Sequence, residues 1–276
     1  MSGKLYLVAT PIGNLEDITL RAIKVLQEVD LVVAEDTRQT LKLLNHLKIT
    51  KPLISYHRHN EEIKVDNIIE KIKNGENIAL VSDAGTPVIS DPGEILVKEA
   101  VNNNIEIIPI PGACALINAI IASGLDTKEF VFMGFLPLNK KLRKEKLESI
   151  RKEYRTIIIY EAPHKILNTL NDLNSILDNR KIVLARELTK IHEEFIRGTT
   201  REIVEKYTNP KGEHIIVIEG NKEEIEETNN MVEFMNIDDL YNYYISQGFS
   251  KNVAVKKIAK DKNVPKNEIY MKFTNK

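Results

Sequence analysis

The chain of 276 residues is 42% hydrophobic and 29% charged, with a formal net charge of −1 at pH 7, which is typical of a soluble globular protein with one large or two medium domains. The single cysteine, Cys114, excludes an internal disulfide framework and a cysteine-based zinc site. No apolar run is long enough for a membrane span, and the N-terminal residues lack the apolar core of a signal peptide, so we predict a cytoplasmic protein without membrane contact.

Eight short apolar runs predict β-strands. They are KLYLVA (4–9), DLVVAE (30–35), NIALVS (77–82), IEIIPI (105–110), FVFMGF (130–135), TIIIYE (156–161), KIVLAR (181–186) and HIIVIE (214–219). Because these runs are continuously apolar rather than alternating, we expect strands that are covered on both faces. Segments with helical periodicity, such as LRAIKVLQEV and HKILNTLNDLNSIL, lie between them. The alternation predicts an α/β protein with mostly parallel sheets.

The strand–helix units fall into two sets, which predict an N-terminal α/β domain over residues 1–115 and a C-terminal α/β domain over residues 116–222. An acidic polar stretch, NKEEIEETNN, follows Gly220. Three helical segments, DDLYNYYISQG, SKNVAVKKIAKDKN and PKNEIYMKF, come after it. Their order predicts a small helical extension over residues 231–276 of the helix-turn-helix type.

Two basic segments interrupt the neutral charge balance. Residues 139–155 carry eight Lys or Arg against three Glu, and residues 251–276 carry eight Lys against two acids. A solvated helix face explains such runs, and so does contact with a nucleic-acid backbone.

Ligands of α/β sheets bind beyond the carboxyl ends of the strands, so the loops that follow strands are candidate site segments. Five stand out: ATPIGNLEDIT (9–19), AEDTRQT (34–40), SYHRHNEE (55–62), VSDAGTPVISDPG (81–93) and IPIPGACALINAIIASG (108–124). None contains the G-x-G-x-x-G or the Walker pattern, which argues against a dinucleotide or ATP site.

The second and third of these loops carry charged side chains. Glu35, Asp36 and Arg38 follow a strand directly, an arrangement that fits cation binding, proton transfer or an ion pair that caps a helix. His57 and His59 lack a third metal ligand at a clear spacing, so we predict no metal site. We instead expect the third loop, including Glu61, to face the substrate.

The fourth and fifth loops have the composition of a backbone-lined pocket. In residues 81–93, two turn clusters flank Thr86 and Ile89, and we expect Ser90 or Asp91 to begin the next helix. In residues 108–124, Pro-Gly precedes a helix whose first residues are small. Such a start lets a ligand approach the free backbone N–H groups, and close packing of the helix on the sheet is the alternative.

Nine motifs occur in a fixed order: ATPIGNLEDIT, AEDTR, H-x-HNE, VSDAGTPVISDPG, PGACA, GFLP, YEAPHK, ARELTKIHEE and GEHIIVIEG. Together they resemble the ribosomal small-subunit RNA methyltransferase I family, which belongs to the tetrapyrrole-methylase-like enzymes that use S-adenosylmethionine (AdoMet). The resemblance covers about residues 4–220, and the helical tail is similar to an extension of that family.

The resemblance implies the tetrapyrrole methylase (class III methyltransferase) fold, with AdoMet in the cleft between two α/β domains, and a homodimer. It also implies 2′-O-methylation of a cytidine ribose in the decoding region of 16S rRNA in the small ribosomal subunit. By match to the family's motifs, cofactor contact is expected at Ile12, Gly13, Asp83, Gly85, Thr86, Ile89, Cys114, Ala115, Tyr160, Ala185 and His214. Three positions depart from the family pattern: Cys114 stands for Ser, Lys165 for Arg, and Arg58 for an acid.

Methyl transfer to a hydroxyl needs alignment of the reacting atoms and a base near the hydroxyl proton, but no metal. Glu35, Asp36, His57, Glu61 and Glu187 are the candidate bases, and we favour Asp36 or Glu35, with Arg38 steering a phosphate. Two alternatives keep the fold but change the function. One is a methyltransferase for a tetrapyrrole or another small molecule, and the other is a non-catalytic RNA-binding protein.

Overall fold

The structure is a computed structural model that describes residues 2–177, 179–208, 210–222 and 235–274. The chain divides into two compact units, residues 1–151 with 155–219, and residues 152–154 with 220–276. Most of the acidic stretch after Gly220, residues 231–234 of the predicted helical extension and its last two residues lie outside the described residues.

The first unit begins with a five-stranded parallel sheet in the order β3-β2-β4-β1-β5. Its strands are β1 (Lys4–Val8), β2 (Leu31–Ala34), β3 (Leu53–Ser55), β4 (Ile78–Val81) and β5 (Glu106–Ile110). The helices in this part are α1 (Leu20–Glu28), α2 (Thr37–His46), α3 (Glu61–Lys73), α4 (Glu94–Asn102) and α5 (Ala115–Ile121). Leu5 and Val8 of β1 belong to two different core clusters, so the sheet buries both faces, as the apolar runs predict.

A second five-stranded sheet follows in the order β6-β7-β10-β8-β9. Its strands are β6 (Phe130–Phe135), β7 (Thr156–Glu161), β8 (Lys181–Arg186), β9 (Glu194–Thr199) and β10 (His214–Ile218), with α6 (Lys140–Lys152), α7 (Ile166–Ile176) and α8 (Thr200–Lys206). Only β6 and β7 pair in parallel, and the other three pairings are antiparallel. The expectation of mostly parallel sheets is therefore wrong here. The seven residues between β8 and β9 are too few for a parallel crossover, so these neighbours must run in opposite directions.

All eight predicted strands are present. Two further strands, β3 and β9, were not predicted from the sequence. Neither strand has a continuous apolar run in the sequence. The three residues of β3 are half-buried, and those of β9 are half-buried or exposed, so neither strand needs such a run. The strands of the first sheet end at Ile110 and those of the second start at Phe130, with α5 between them. The limits predicted for the two α/β domains stay a prediction.

The start of α4 differs from the expectation. The helix begins at Glu94 after Gly93, which has a φ of 133° and provides no side-chain cap. Because Gly93 occupies the cap position, neither Ser90, which has a φ of 69°, nor Asp91 begins the helix. Asp91 is therefore free of the capping role that the sequence assigned to it.

The second unit contains the three predicted helices, α9 (Ile237–Ser246), α10 (Lys251–Asp261) and α11 (Lys266–Thr274). Leu240, Val255, Ile258 and Ile269 lie in its small hydrophobic core. Within the described part of the chain, no helix has the length and apolarity needed to cross a membrane.

Candidate active site

A cavity of about 440 Å³ lies between the two sheets of the first unit, beyond the carboxyl ends of β1, β2 and β4. This volume is in the usual range for a site that encloses a small molecule. Its first wall is formed by Ile12, Glu35, Asp83, Ala84, Gly85, Thr86, Ile89, Ser90, Asp91, Cys114 and Ala115. Its second wall is formed by Phe135, Tyr160, Glu161, Ala162, Pro163, Leu188, Glu213, His214 and Ile215.

Backbone contacts join three loops at the first wall. The N–H of Thr10 donates to the carbonyl of Gly85 over 2.9 Å, and the N–H of Gly85 donates back over 3.0 Å. The hydroxyl of Thr86 donates to the carbonyl of Ala113 over 3.1 Å. Gly85 has a φ of +82°, and a Cβ atom there would lie 3.1 Å from Cγ2 of Ile12. Glycine is therefore required both for the turn and for the close approach.

Residues 88–90 carry backbone strain beside the cavity. Val88 has a φ of 76° and Ser90 a φ of 69°, and a β-branched residue rarely adopts such an angle. The residue between them, Ile89, lines the cavity and is 40% exposed. Strain of this kind persists only where the surrounding contacts hold it, and it concentrates at ligand sites.

Tyr160 connects the second wall to the start of α5. Its hydroxyl oxygen accepts a hydrogen bond from the backbone N–H of Leu116 over 3.1 Å. The rings of Phe132 and Phe135 pack edge-on against it, with centroids 4.8 and 5.7 Å away. Burial raises the pKa of Tyr160 to about 12, so the hydroxyl keeps its proton near neutral pH.

The first wall is acidic. Burial raises the pKa of Glu35, and the Asp83 carboxylate adds to this effect. Burial, together with Glu35, raises the pKa of Asp91 to about 6, and Arg58 opposes the shift of both groups. The carboxylate of Asp83 also accepts a hydrogen bond from the N–H of Asp36 over 2.9 Å. A wall with this charge suits a ligand that carries a positive charge.

The second wall has a neutral histidine and a hydrogen-bonded carboxylate. Burial, with Arg186 nearby, lowers the pKa of His214 to about 4, and its Nε2 atom lies 2.5 Å from the Tyr207 hydroxyl. Glu161 accepts from the Thr169 hydroxyl over 2.6 Å. Arg143 donates to the same hydroxyl over 2.9 Å.

Four of the predicted site residues do not line the cavity but contact residues around it. They are Gly13, Asp36, Arg38 and Glu61. Asp36 caps α2 by accepting from the N–H of Arg38 over 2.9 Å, and its carboxylate pairs with the Arg38 guanidinium at 2.6 Å. These contacts hold the pKa of Asp36 at about 2. Glu61 is buried and accepts from the N–H of Gly93 over 3.2 Å. Gly13 packs closely against the side chain of Lys190.

Ala185, also predicted to contact the cofactor, is fully buried in a core cluster on β8. His57 contacts Asn60, with 3.1 Å between the imidazole Nε2 and the amide nitrogen. Among the described residues there is no group of three His, Cys, Asp or Glu side chains that could hold a metal ion.

Nine of the eleven predicted cofactor residues line the cavity, and so does Glu35. The sequence reading did not assign ten of the lining residues to the site: Ala84, Ser90, Asp91, Phe135, Glu161, Ala162, Pro163, Leu188, Glu213 and Ile215. Most of them lie inside or next to the motifs GFLP, YEAPHK, ARELTKIHEE and GEHIIVIEG. The motifs therefore contained the signal, but not which side chains face the cavity.

The family model of the tetrapyrrole (corrin/porphyrin) methylases matches residues 4–204. A protein of Halalkalibacterium halodurans named ribosomal RNA small subunit methyltransferase I is 50% identical over 270 residues, which are 97% of this chain and 93% of that protein. Its namesake in Bacillus subtilis is 49% identical over 272 residues, with the same coverage of 97% and 93%. The chain belongs to the ribosomal RNA small subunit methyltransferase I family. The resemblance seen in its motifs is thereby confirmed.

Solved structures share the fold of this family member. Diphthine synthase matches with a TM-score of 0.64 at 14% identity, over 79% of this chain and 90% of that one. The methyltransferase CobJ matches with a TM-score of 0.61 at 16% identity, over 79% and 95%. The predicted fold class is confirmed, the chain is a methyltransferase, and AdoMet, which the motifs implied, is the cofactor of the family.

The residues around the cavity fit AdoMet. Glu35, Asp83 and Asp91 give the lining carboxyl groups, which suit a ligand that carries a sulfonium cation. Ile12 and Ile215 provide apolar surface for the uncharged parts of the cofactor. The absence of a side chain at Gly85 leaves room for a ligand to lie against the backbone.

Proposed function

We propose that this chain transfers a methyl group from AdoMet to the 2′-hydroxyl of a cytidine ribose in the decoding region of 16S rRNA, with the small ribosomal subunit as its partner. The cavity that carries nine of the eleven residues expected to contact AdoMet is the observation that supports this proposal. Two relatives named ribosomal RNA small subunit methyltransferase I, at about half identity over 97% of the chain, support the choice of RNA as substrate.

When bound, AdoMet supplies an activated methyl group whose leaving group is a neutral thioether. The chain supplies position, charge and a base. The loop with Gly85 and Thr86 and the start of α5 bind the cofactor, and Tyr160 joins the two walls through its hydrogen bond with Leu116. The acidic first wall stabilises the positive charge, and its carboxylates are the groups of the lining that can accept the hydroxyl proton.

The test is methyl transfer from AdoMet with a labelled methyl group. Its substrates are small ribosomal subunits from a strain that lacks this enzyme, large subunits from the same strain, and uroporphyrinogen. We expect label in the small-subunit RNA only, at one cytidine ribose that mapping identifies. Label in uroporphyrinogen alone would instead indicate a tetrapyrrole methyltransferase. AdoMet binding without transfer to any of the three would contradict the proposal.

RNA contact by the basic segments is part of the same proposal. Lys140, Lys141 and Lys144 are exposed on α6, and Lys256 and Lys260 are exposed on α10, one turn apart. Such lysines bind phosphates and release counterions. Arg143, also on α6, pairs with Asp172 on α7 at 2.7 Å, so it serves the packing of the two helices instead.

Replacing Lys256, Lys257 and Lys260 together by Ala should flatten the dependence of subunit binding on salt concentration. Lys257 contributes differently, because its ammonium lies over the rings of Phe249 and Tyr244. The control replaces Lys73 and Lys98, which are exposed on α3 and α4. An unchanged salt dependence in the triple variant would mean that these lysines form a solvated helix face and do not contact RNA.

We further propose a homodimer and a cytoplasmic location, which follow from the family resemblance. Light scattering of the purified chain over a range of concentrations tests the first. A monomer at all concentrations would contradict it.

A further inference from the structure

The position of α4 removes the capping role that the sequence predicted for Asp91. Glu94 begins the helix, and Gly93 precedes it without a side-chain cap. The Asp91 side chain instead lines the cavity and is half-buried there. A carboxyl group that faces a ligand cavity and caps no helix needs another explanation.

The backbone around Asp91 is held from the segment between β3 and α3. The guanidinium of Arg58 donates to the carbonyl of Ser90 over 2.5 Å. The carboxylate of Glu61 accepts from the N–H of Gly93 over 3.2 Å. These two contacts bracket Asp91 on both sides, and they hold the positive φ angles of Ser90 and Gly93 in place.

The charged and titratable groups around Asp91 come from every neighbouring element. Glu35 follows β2, Asp83 follows β4, and Arg58 follows β3. The second wall adds the groups Tyr160, Glu161, Glu213 and His214. The two carboxylates disfavour ionisation of Asp91, while a hydrogen bond with the Ser82 side chain and, after it, the Arg58 guanidinium favour it.

This environment gives Asp91 the basicity that proton transfer requires. Burial and Glu35 raise its pKa to about 6, whereas Arg38 holds that of Asp36 at about 2. A general base acts best when its pKa lies near the working pH. Asp36 is a much weaker base and does not line the cavity.

We propose that the Asp91 carboxylate takes the proton of the ribose hydroxyl during methyl transfer, and that Arg58 is the positioning residue that holds the backbone next to Asp91 and favours its ionised form. This inference rests on the proposed function. In the step, the hydroxyl oxygen bonds to the methyl carbon as the carbon–sulfur bond breaks. The sulfur keeps the electron pair of that bond and loses its positive charge. The hydroxyl proton passes to Asp91 and then to water.

Single-turnover methylation of small subunits as a function of pH tests the role of Asp91. The wild-type rate should rise with pH and level off above an inflection near the pKa of Asp91, about 6. Asp91→Asn should lower the plateau rate about 100-fold or more, the usual contribution of a general base. Its melting temperature should stay close to wild type, because the amide is isosteric with the carboxyl group. Its AdoMet affinity should fall by a much smaller factor than the rate, because Glu35 and Asp83 keep the first wall acidic. A variant rate within a few fold of wild type would overturn the proposal.

Arg58→Gln tests the positioning role. Loss of the positive charge should move the inflection to higher pH while much of the plateau rate is kept. A purely structural role would lower the plateau without moving the inflection, and that result would overturn the assignment. The matched control is Lys98→Gln, which removes one charge from the exposed surface of α4 and should leave the pH profile unchanged.

If Asp91→Asn folds poorly, a measurement that does not depend on catalysis still tests the proposal. The carboxyl ¹³C signals of an aspartate-labelled apo protein report each midpoint directly. The midpoint of Asp91 should lie near 6 in the wild type and higher in Arg58→Gln. A midpoint near the ordinary aspartate value would refute the assignment. If the wild type binds AdoMet but methylates no small subunits, the proposed function fails instead, whatever the midpoint of Asp91.

Discussion

The backbone N–H of Leu116 donates a hydrogen bond to the hydroxyl oxygen of Tyr160 over 3.1 Å. Leu116 lies in the first turn of α5, which follows the first sheet, and Tyr160 lies on β7 of the second sheet. One side chain therefore joins the two walls of the cavity and occupies a free N–H at a helix start.

Tyr160→Phe should weaken AdoMet binding and lower stability together. The variant leaves the half-buried N–H of Leu116 without its acceptor, which costs about 1 to 3 kcal/mol. Isothermal titration with AdoMet and chemical unfolding measure the two effects. Phe132→Leu is a useful comparison, because it disturbs the packing on the Tyr160 ring but keeps the hydrogen bond. If Tyr160→Phe binds AdoMet as tightly as wild type, the hydrogen bond does not position α5 for the cofactor.

Gly85→Ala should abolish or strongly weaken AdoMet binding. The change forces an alanine to adopt a φ of +82° and places its Cβ atom 3.1 Å from Ile12 at the cavity wall. Gly124→Ala is the matched control, because Gly124 has a φ of +80° but open space around it. Both variants should lose about 1 to 2 kcal/mol from backbone strain. Only Gly85→Ala should lose cofactor affinity, and equal affinities in the two variants would contradict a role for Gly85 in the site.

Variants of Glu61 separate a positioning role from a catalytic one. Glu61→Gln keeps an oxygen that can accept from the N–H of Gly93, so it should retain most of the methyl transfer. Glu61→Ala removes the acceptor and should release the loop before α4, which lowers both the rate and the stability. Single-turnover rates and melting temperatures of the two variants test this. A dead but well-folded Glu61→Gln would show that the charge itself takes part in the reaction.

The pKa of His214 predicts part of the pH dependence of stability. Burial, with Arg186 nearby, lowers that pKa from 6.5 in the unfolded chain to about 4 in the folded one. The unfolded chain therefore binds a proton first as the pH falls. The stability that this group contributes is complete above pH 6.5 and is lost as the pH falls towards about 4.

Urea unfolding at about pH 7.5 and about pH 5 measures this effect. Between these two pH values, the free energy of unfolding should fall by about 1 kcal/mol more in wild type than in His214→Gln. This figure allows for solvent screening at the cavity. Equal losses in the two proteins would mean that His214 titrates normally in the folded chain.

Asp36→Asn tests the site that the sequence favoured for the base. The carboxylate pairs with Arg38 and lies outside the cavity lining, so the variant should methylate at close to the wild-type rate. It should be less stable at neutral pH, because it loses the ion pair, and the deficit should shrink as the pH falls from 3.8 to about 2 and the wild-type carboxylate is protonated. A large loss of rate in a folded variant would restore Asp36 as a candidate base.

Local sequence was sufficient for the elements whose signal lies in neighbouring residues. β1, β2 and β4 are short apolar runs whose side chains are covered on both faces, and this pattern is readable without any partner. β9 was missed because its residues are only half-buried or exposed, and it becomes a strand only by pairing with β8. The antiparallel pairings of β10 likewise depend on strands that are remote in the chain.

The sequence by itself determined the strand–helix alternation, the family and half of the residues that line the cavity, because motifs and apolar periodicity are properties of consecutive residues. Only the tertiary structure decided which carboxylates face the cavity. The Asp36 carboxylate pairs with Arg38, and the Glu61 carboxylate accepts from Gly93. Asp91 instead lines the cavity, because the positive φ angles of Ser90 and Gly93 keep it out of the cap position of α4. The direction of Asp36 follows from a local contact, because Arg38 is only two residues away. The directions of Glu61 and Asp91 follow from hydrogen bonds between segments about thirty residues apart, Glu61 with Gly93 and Arg58 with Ser90, and no local pattern encodes them.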